Sequence, residues 1–136
     1  MIGKYIYEVL TDVTAITNLV GTRIYPIAAP LETAVPYITY RTTSIEPRDG
    51  AKDGPARKDN YFVAFNIFES PEKPDEALEN IETLFDAVRV ALEWQAGTVG
   101  GVTVEQCIYL PSGSDEIDDT TGLIFKTASY VFSVVR

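Results

Sequence analysis

Carboxylates are the only side chains in this 136-residue sequence whose grouping suggests chemistry. Asp115, Asp118 and Asp119 fall within five consecutive positions, and clustered acids can bind a hard cation or act in general acid–base catalysis. The spacing does not match an EF-hand loop, because Ile117 takes a ligand position and no glycine stands at the sixth position. A solvated polar loop is therefore preferred over the site of a metal-dependent hydrolase.

Residue counts exclude the other common catalytic groupings. The chain has no histidine and a single cysteine, Cys107, so it cannot build a Ser-His-Asp triad, a Cys-His pair or a Cys/His zinc site. Gly97, Gly100 and Gly101 lead from a predicted helix into a predicted strand, which is the reverse of a phosphate-binding loop. We therefore expect no enzymatic activity, no metal and no cofactor.

The charge balance restricts the class of partner. Twenty Asp and Glu against eleven Lys and Arg give a formal net charge of -9, which argues against phosphate binding as the main role. One cysteine cannot close an internal disulfide, and neither a signal peptide nor a long apolar run is present. We expect a soluble protein made in a reducing compartment.

The hydrophobic periodicity predicts an α+β domain spanning residues 1–136. Apolar spacings of three and four indicate helix over residues 2–20, with a break near Thr11–Asp12, and a longer helix beginning at about Asp75. Asp12 is the expected N-cap of the second helix and Gly21 its end. Alternating β-forming residues predict four strands: 37–41, 61–68, 102–110 and 123–135. We expect a mainly antiparallel sheet of about four strands, with two to three helices packed on one face.

Two details of these predicted elements bear on function. Alternation in the third strand places Val102, Val104, Ile108 and Leu110 on one face. Residues 42–60 show no periodicity and contain two Asp-Gly steps, which predicts a long flexible loop. Because the cations of this loop alternate with acids and residues 42–60 contain no aromatic residue, a solvated or partner-binding loop is preferred over a nucleic-acid contact. The cations of this loop are Arg48, Lys52, Arg57 and Lys58.

The predicted sheet has more apolar surface than one layer of helices can cover. Both faces of the 61–68 strand carry apolar side chains, so the face away from the helices requires another cover, and a subunit interface would provide it. Scattered exposed aromatic residues, which need no explanation, are the alternative. The interface candidates are Tyr61, Phe62, Phe68, Tyr130 and Phe132.

Five segments occur in an order that resembles a known family. They are Leu19-Val20-Gly21-Thr22-Arg23-Ile24-Tyr25-Pro26, Val35-Pro36-Tyr37-Ile38-Thr39-Tyr40, the 61–68 strand, Leu84-Phe85-Asp86-Ala87-Val88-Arg89-Val90-Ala91-Leu92 and Tyr130-Val131-Phe132-Ser133-Val134. This succession is similar to the small tail-completion, or tail-terminator, proteins of long-tailed bacteriophages. None of the segments is catalytic, and together they span almost the whole chain.

The resemblance implies a structural virion protein, assembled in the host cytoplasm and located at the head-proximal end of the tail. Such proteins form a ring, usually of six copies, that caps the tail tube, ends its polymerisation and joins the neck. The implied partners are further copies of the chain, the tail tube protein and a head-tail connector or neck protein, with no membrane. The long loop, through Arg48, Lys52, Arg57 and Lys58, would reach the tube or the lumen.

A ring of acidic copies would also repel the genome, so that DNA passes through the channel without specific binding. The acids expected to face that channel lie on the long helix and in the acidic loop: Glu76, Glu79, Glu82, Asp86, Asp115, Asp118 and Asp119.

Two other functions remain open on the sequence. A head-tail connector or neck protein has the same size and ring architecture, and only its binding partner differs. A dimeric α+β ligand-binding or regulatory module belongs to another class, and an apolar pocket with a few polar groups would identify it.

Overall fold

The computed structural model describes residues 2–48 and 57–136, which form three helices and seven strands. The helices are α1 (Ile2–Thr11), α2 (Thr14–Val20) and α3 (Pro74–Leu92). The strands are β1 (Ile24–Pro26), β2 (Tyr37–Arg48), β3 (Lys58–Glu69), β4 (Gly97–Val99), β5 (Val102–Leu110), β6 (Asp115–Ile117) and β7 (Ile124–Val135).

The described strands form one mixed sheet in the order β1-β2-β3-β7-β5-β4, with β6 paired to β7. The β1–β2 pair is parallel and the other pairs are antiparallel. The α+β class is confirmed, but the prediction of about four antiparallel strands is wrong. Three of the seven strands, β1, β4 and β6, have three residues each, and such short segments give too little alternation to be recognised.

All three helices pack on one side of the sheet and share a single core with it. The largest fully buried side chains include Phe65 of β3 and Tyr130 and Phe132 of β7, which face Ile6 of α1 and Leu84 of α3 across this core. The opposite side of the two central strands is called the open face. It comprises Phe62, Ala64, Asn66 and Phe68 of β3, and Phe125, Thr127, Ser129, Val131 and Ser133 of β7.

The break between the first two helices lies where it was predicted, but its cap differs. α1 ends at Thr11 and α2 begins at Thr14, with Val13 and not Asp12 in the N-cap position and no side-chain cap bond. Gly21 ends α2 as expected: its φ is 59°, and its N–H donates to the carbonyl of Thr17 at 2.8 Å. Only glycine adopts this φ and its accompanying ψ of -121° without strain.

Much of the predicted 42–60 loop is strand. β2 continues to Arg48 and β3 starts at Lys58, so residues 42–48 and 58–63 form an antiparallel extension called the arm. Residues 41–48 are exposed on both faces of β2, which removes the apolar alternation that reveals a half-buried strand. The prediction of a loop is therefore corrected for the described part of this segment.

A β-bulge in β5 changes which side chains enter the core. The register with β7 shifts between Val104 and Gln106, and the inserted residue reverses the alternation beyond it. Cys107 is therefore fully buried in the core, whereas Ile108 pairs with Val131 on the open face. The predicted common face of Val104 and Ile108 is wrong for this reason.

Candidate functional site

The acidic segment of residues 115–119, called the acidic turn, consists of strand β6 and the start of the turn that follows it. Asp118 accepts hydrogen bonds from the N–H of Thr120 at 2.9 Å and the hydroxyl of Thr121 at 3.0 Å, and these bonds lower the pKa of its carboxyl. Asp115 forms an ion pair with Lys126 at 3.4 Å. Within residues 2–48 and 57–136, no group of three or more His, Cys, Asp or Glu is placed to hold a metal ion.

The buried polar groups of the core have no nucleophilic character. Burial raises the pKa of the Cys107 thiol to about 12, so the thiol stays protonated at neutral pH. Burial also raises the pKa of the Tyr130 hydroxyl, and this hydroxyl makes no hydrogen bond to any described residue. Both groups act as core side chains.

The open face is uncharged and is built in rows that cross the sheet. Phe62 pairs with Val131, which pairs with Ile108, and this apolar row lies between the Ala64–Ser129 and Asn60–Ser133 pairs. The polar side chains are already bonded to each other across the strands: Thr127 donates to Asn66 at 2.7 Å, and Ser133 donates to Asn60 at 2.9 Å.

A second apolar row crosses the other end of the open face. The ring of Tyr37 stacks on Phe68, with centroids 4.9 Å apart, and Phe68 lies 5.1 Å from Phe125. Tyr37 is itself buried, at 8% exposure, so Phe68 and Phe125 form the accessible part of this row. Depletion of charge with enrichment of aromatic residues is typical of the buried centre of a protein interface.

The structure divides the five predicted interface residues into two groups. Phe62 and Phe68 lie on the open face, in the two apolar rows. Tyr130 and Phe132 are 0% exposed, and Tyr61 packs against the same core on the helical side. Tyr130 and Phe132 therefore cannot reach a neighbouring molecule, and their assignment is corrected.

Phe125 is an open-face residue that the sequence did not single out. Alternation separated Phe125 from Phe132 on the last strand but could not tell which of the two faces the helices cover. The signal that identifies it is the strand register, in which Phe125 pairs with Phe68.

The predicted arm cations are only partly available to a partner. Lys58 is bound to Glu105 of β5 at 2.6 Å, whereas Arg48 and Arg57 are exposed. Arg48 and Lys58 are register partners, and they line a surface pocket of about 400 Å³ together with Trp94. Lys52 lies outside the described residues.

The acids of α3 form a row on its outer surface. Asp75, Glu79, Glu82 and Asp86 are exposed and follow one another at spacings of four, three and four, which aligns them on one side of a helix. Glu76, the remaining predicted acid, pairs with Lys73 at 3.8 Å. The 115–119 segment lies beside α3, because Lys126, which pairs with Asp115, is also 5.2 Å from the ring of Phe85.

No helix among the described residues combines the length and the apolar character needed to cross a membrane.

The chain was compared with known proteins. The sequence model of a family described as Tail completion protein gp17 matches residues 4–127. No curated protein shows significant similarity to the chain.

Two solved structures share the fold. One is a chain from the virion of a native gene transfer agent particle, with a TM-score of 0.74 and 14% identity, covering 96% of this chain and 92% of that one. The second has a TM-score of 0.51 and 15% identity, covering 93% of this chain and 86% of its own.

The family match covers nearly the whole described chain, and the structure holds the elements on which the resemblance rested, in the same order. The chain therefore belongs to the family of tail completion protein gp17, a family of structural phage tail proteins.

Proposed function

We propose that the protein forms a ring of six copies that caps the head-proximal end of the tail tube, ends tube polymerisation and offers a joining surface to the neck. The observation that carries this proposal is the open face: two uncharged, largely apolar rows that no helix of the described chain covers. Family membership and the fold shared with a virion chain support it.

A ring contact would bury the open face at low energetic cost. In a closed ring each copy uses one surface to cover a different surface of the next copy, so every open face is covered. Two polar pairs beside the apolar rows, Asn66–Thr127 and Asn60–Ser133, are already hydrogen-bonded, so burying them leaves few hydrogen-bonding groups unsatisfied. Burial of Phe62 and Phe68 then supplies the favourable free energy.

Termination of the tube needs no catalysis in this proposal. The two ends of the sheet differ: the arm, with Arg48 and Arg57, extends from one end, and the acidic turn of residues 115–119 lies at the other. We assign the arm end to the tube, where its exposed cations can contact the last tube ring. The opposite end then lacks the surface that adds further tube rings and is available to a neck protein.

The net charge of the ring would allow DNA to pass. Six copies carry a formal charge of about -54, and acids turned towards the channel repel phosphates within a Debye length, about 8 Å at physiological ionic strength. We assign Asp115, Asp118 and Asp119 to the channel. The acids of α3 form a row on the outer surface of that helix, and we do not assign them to the channel.

Light scattering coupled to size-exclusion chromatography tests the ring, and electron microscopy with purified tail tubes tests the cap. The expected results are a species of about 90 kDa, six times the 15.0 kDa chain, and density at one end of each tube. A chain that stays monomeric with tubes present would refute the proposal. A stable dimer that does not bind tail tubes would favour a regulatory module. Binding to a portal or neck complex, without binding to tubes, would favour a connector.

A further inference from the structure

We propose that Arg41 of one copy forms an ion pair with Asp86 of the next copy, and that this pair sets the lateral contact of the ring. The inference rests on the proposed ring. It assigns a function to Arg41, and it gives Asp86 a role at the contact between copies.

Arg41 lies at an unpaired edge of the sheet. β1 covers the outer edge of β2 only from Ile38 to Tyr40, and Arg41 is the first residue beyond this cover. Its side chain is exposed, and it forms no ion pair with any described residue. Beside it lies Ile27, which is 75% exposed and donates its N–H to the carbonyl of Tyr40. This edge presents an exposed cation next to an apolar side chain.

Asp86 provides the complementary surface on α3. It is exposed, has no ion-pair partner in the described part of the chain, and is the last of the four acids in the outer row. One helical turn further, Val90 is 77% exposed. The outer face of α3 therefore presents an exposed anion next to an apolar side chain, and its charge is opposite to that of the Arg41 edge.

These two surfaces cannot meet within one molecule. The outer acidic row of α3 points away from the sheet, because Ile81, Leu84 and Val88 on its other side are buried in the core. Arg41 pairs in register with Ala64, which places it on the open-face side of β2. Complementary surfaces on opposite sides of one protomer are satisfied by a head-to-tail contact between copies.

The positions of the two residues along the sheet follow from hydrogen bonds at both ends of α3. Asn80, near its start, donates to Glu69 at the end of β3 at 3.1 Å. Trp94, just past its end, donates its N–H to the carbonyl of Cys107 at 2.8 Å, and Cys107 lies level with Tyr61 across β7. Thus α3 runs back along β3 from the level of Glu69 to that of Tyr61.

On this scale Arg41 and Asp86 both lie near the middle of the length shared by β3 and α3. Ala64, the partner of Arg41, is three residues from Tyr61, or about 10 Å along a strand. Asp86 is eight residues before Trp94, or about 12 Å along a helix in the same direction. Measured from the Asn80–Glu69 bond, Ala64 lies about 17 Å and Asp86 about 9 Å along, so the two heights agree to within about 8 Å. In a closed ring whose axis runs along the strands, as the assignment of the arm end to the tube requires, Arg41 of one copy is at a similar height to Asp86 of the next.

Reciprocal charge reversal tests the pair. R41E and D86R are each expected to raise the protein concentration at which rings form by about tenfold or more, since each places like charges together. The double variant R41E/D86R is expected to return to within about threefold of wild type, because it restores an ion pair of opposite polarity. Light scattering over a dilution series measures these midpoints.

Matched controls separate this contact from net charge. K73E and E116K make the same charge changes at exposed sites near the other end of the sheet, and they are expected to leave the midpoint unchanged. Thermal melting should show all variants folded, since each position is exposed. If R41E and D86R form rings at the same concentration as wild type, the ion pair is refuted but the proposed ring is not. The same conclusion follows if the double variant needs as high a concentration as either single variant. A wild-type chain that forms no ring refutes both proposals.

Discussion

The clearest test of the structure compares two phenylalanines that the sequence could not distinguish. Phe62 lies on the open face, and Phe132 is fully buried in the core. The same substitution, to alanine, should therefore act on different equilibria. Phe132→Ala should destabilise the monomer, and Phe62→Ala should weaken association between copies.

The magnitudes are far enough apart to measure. Removing a fully buried phenylalanine costs about 3–5 kcal/mol, a large part of the roughly 5–15 kcal/mol that stabilises a domain of this size. Phe132 also contacts Tyr5 edge-to-face, with ring centroids 6.1 Å apart, which adds to the loss. We expect the melting temperature of Phe132→Ala to fall by about 10–20 °C.

Phe62→Ala should behave in the opposite way. Because the ring is partly exposed, the folded monomer should lose less than with Phe132→Ala, about 1–2 kcal/mol. In the ring the same side chain would become buried, and its loss should raise the concentration needed for assembly by about ten- to a hundredfold. Urea denaturation measures the first quantity and light scattering the second.

Either of two results would contradict the assignment of Phe62 to the open face and Phe132 to the core. If Phe62→Ala unfolds as readily as Phe132→Ala, the open face is part of a core. If Phe132→Ala folds normally but does not assemble, Phe132 reaches a neighbour and its burial in the protomer is wrong. Ser129→Ala, on the open face beside the apolar row, is a control and should change neither quantity by a measurable amount.

Three further predictions concern the protomer itself. Tyr130→Phe should be neutral or stabilise the fold by up to about 1 kcal/mol in urea denaturation, because the buried hydroxyl has no partner among the described residues; a loss above that amount would indicate a hidden hydrogen bond. Gly21→Ala should cost about 1–3 kcal/mol by thermal melting, because alanine is strained at a φ of 59°, and an unchanged melting temperature would contradict this conformation. Burial raises the pKa of Cys107 to about 12, above the ordinary value near 8.5. The folded state therefore favours the protonated thiol, and this contribution to the free energy of unfolding is complete below pH 8.5 and is lost progressively as the pH rises towards 12. Cys107→Ala should remove this part of the pH dependence, and native Cys107 should resist alkylation at pH 8.

Sequence reasoning located the elements that carry apolar periodicity. α1, α2 and α3 and the long strands β3, β5 and β7 were predicted because each packs an apolar stripe or alternating side against the core. The arm was missed because residues 41–48 are exposed on both sides, and an exposed edge strand needs no alternating pattern. Periodicity therefore reports burial, and only indirectly secondary structure.

The candidate interface was predicted only in part, for a related reason. Alternation divides a strand into two sides but does not say which side the helices cover, so Phe62 and Phe132 were grouped together. The bulge beside Gln106 added a second error, because it reversed the alternation of β5 and exchanged Ile108 for Cys107 in the core. Arg41 was overlooked because its position at a free edge depends on where β1 ends.

The open face also bears on when a ring would assemble. An unbroken apolar face would drive copies together at any concentration, whereas here two apolar rows alternate with polar pairs that are satisfied within the chain. Such a face can remain in water and can also be buried, so the lateral contact should be moderate and concentration-dependent. Docking on the end of a tube would place several copies side by side and raise their effective concentration. We therefore expect tube ends to lower the concentration at which rings form, and dilution series with and without tubes would measure the difference; equal midpoints in the two series would contradict this coupling.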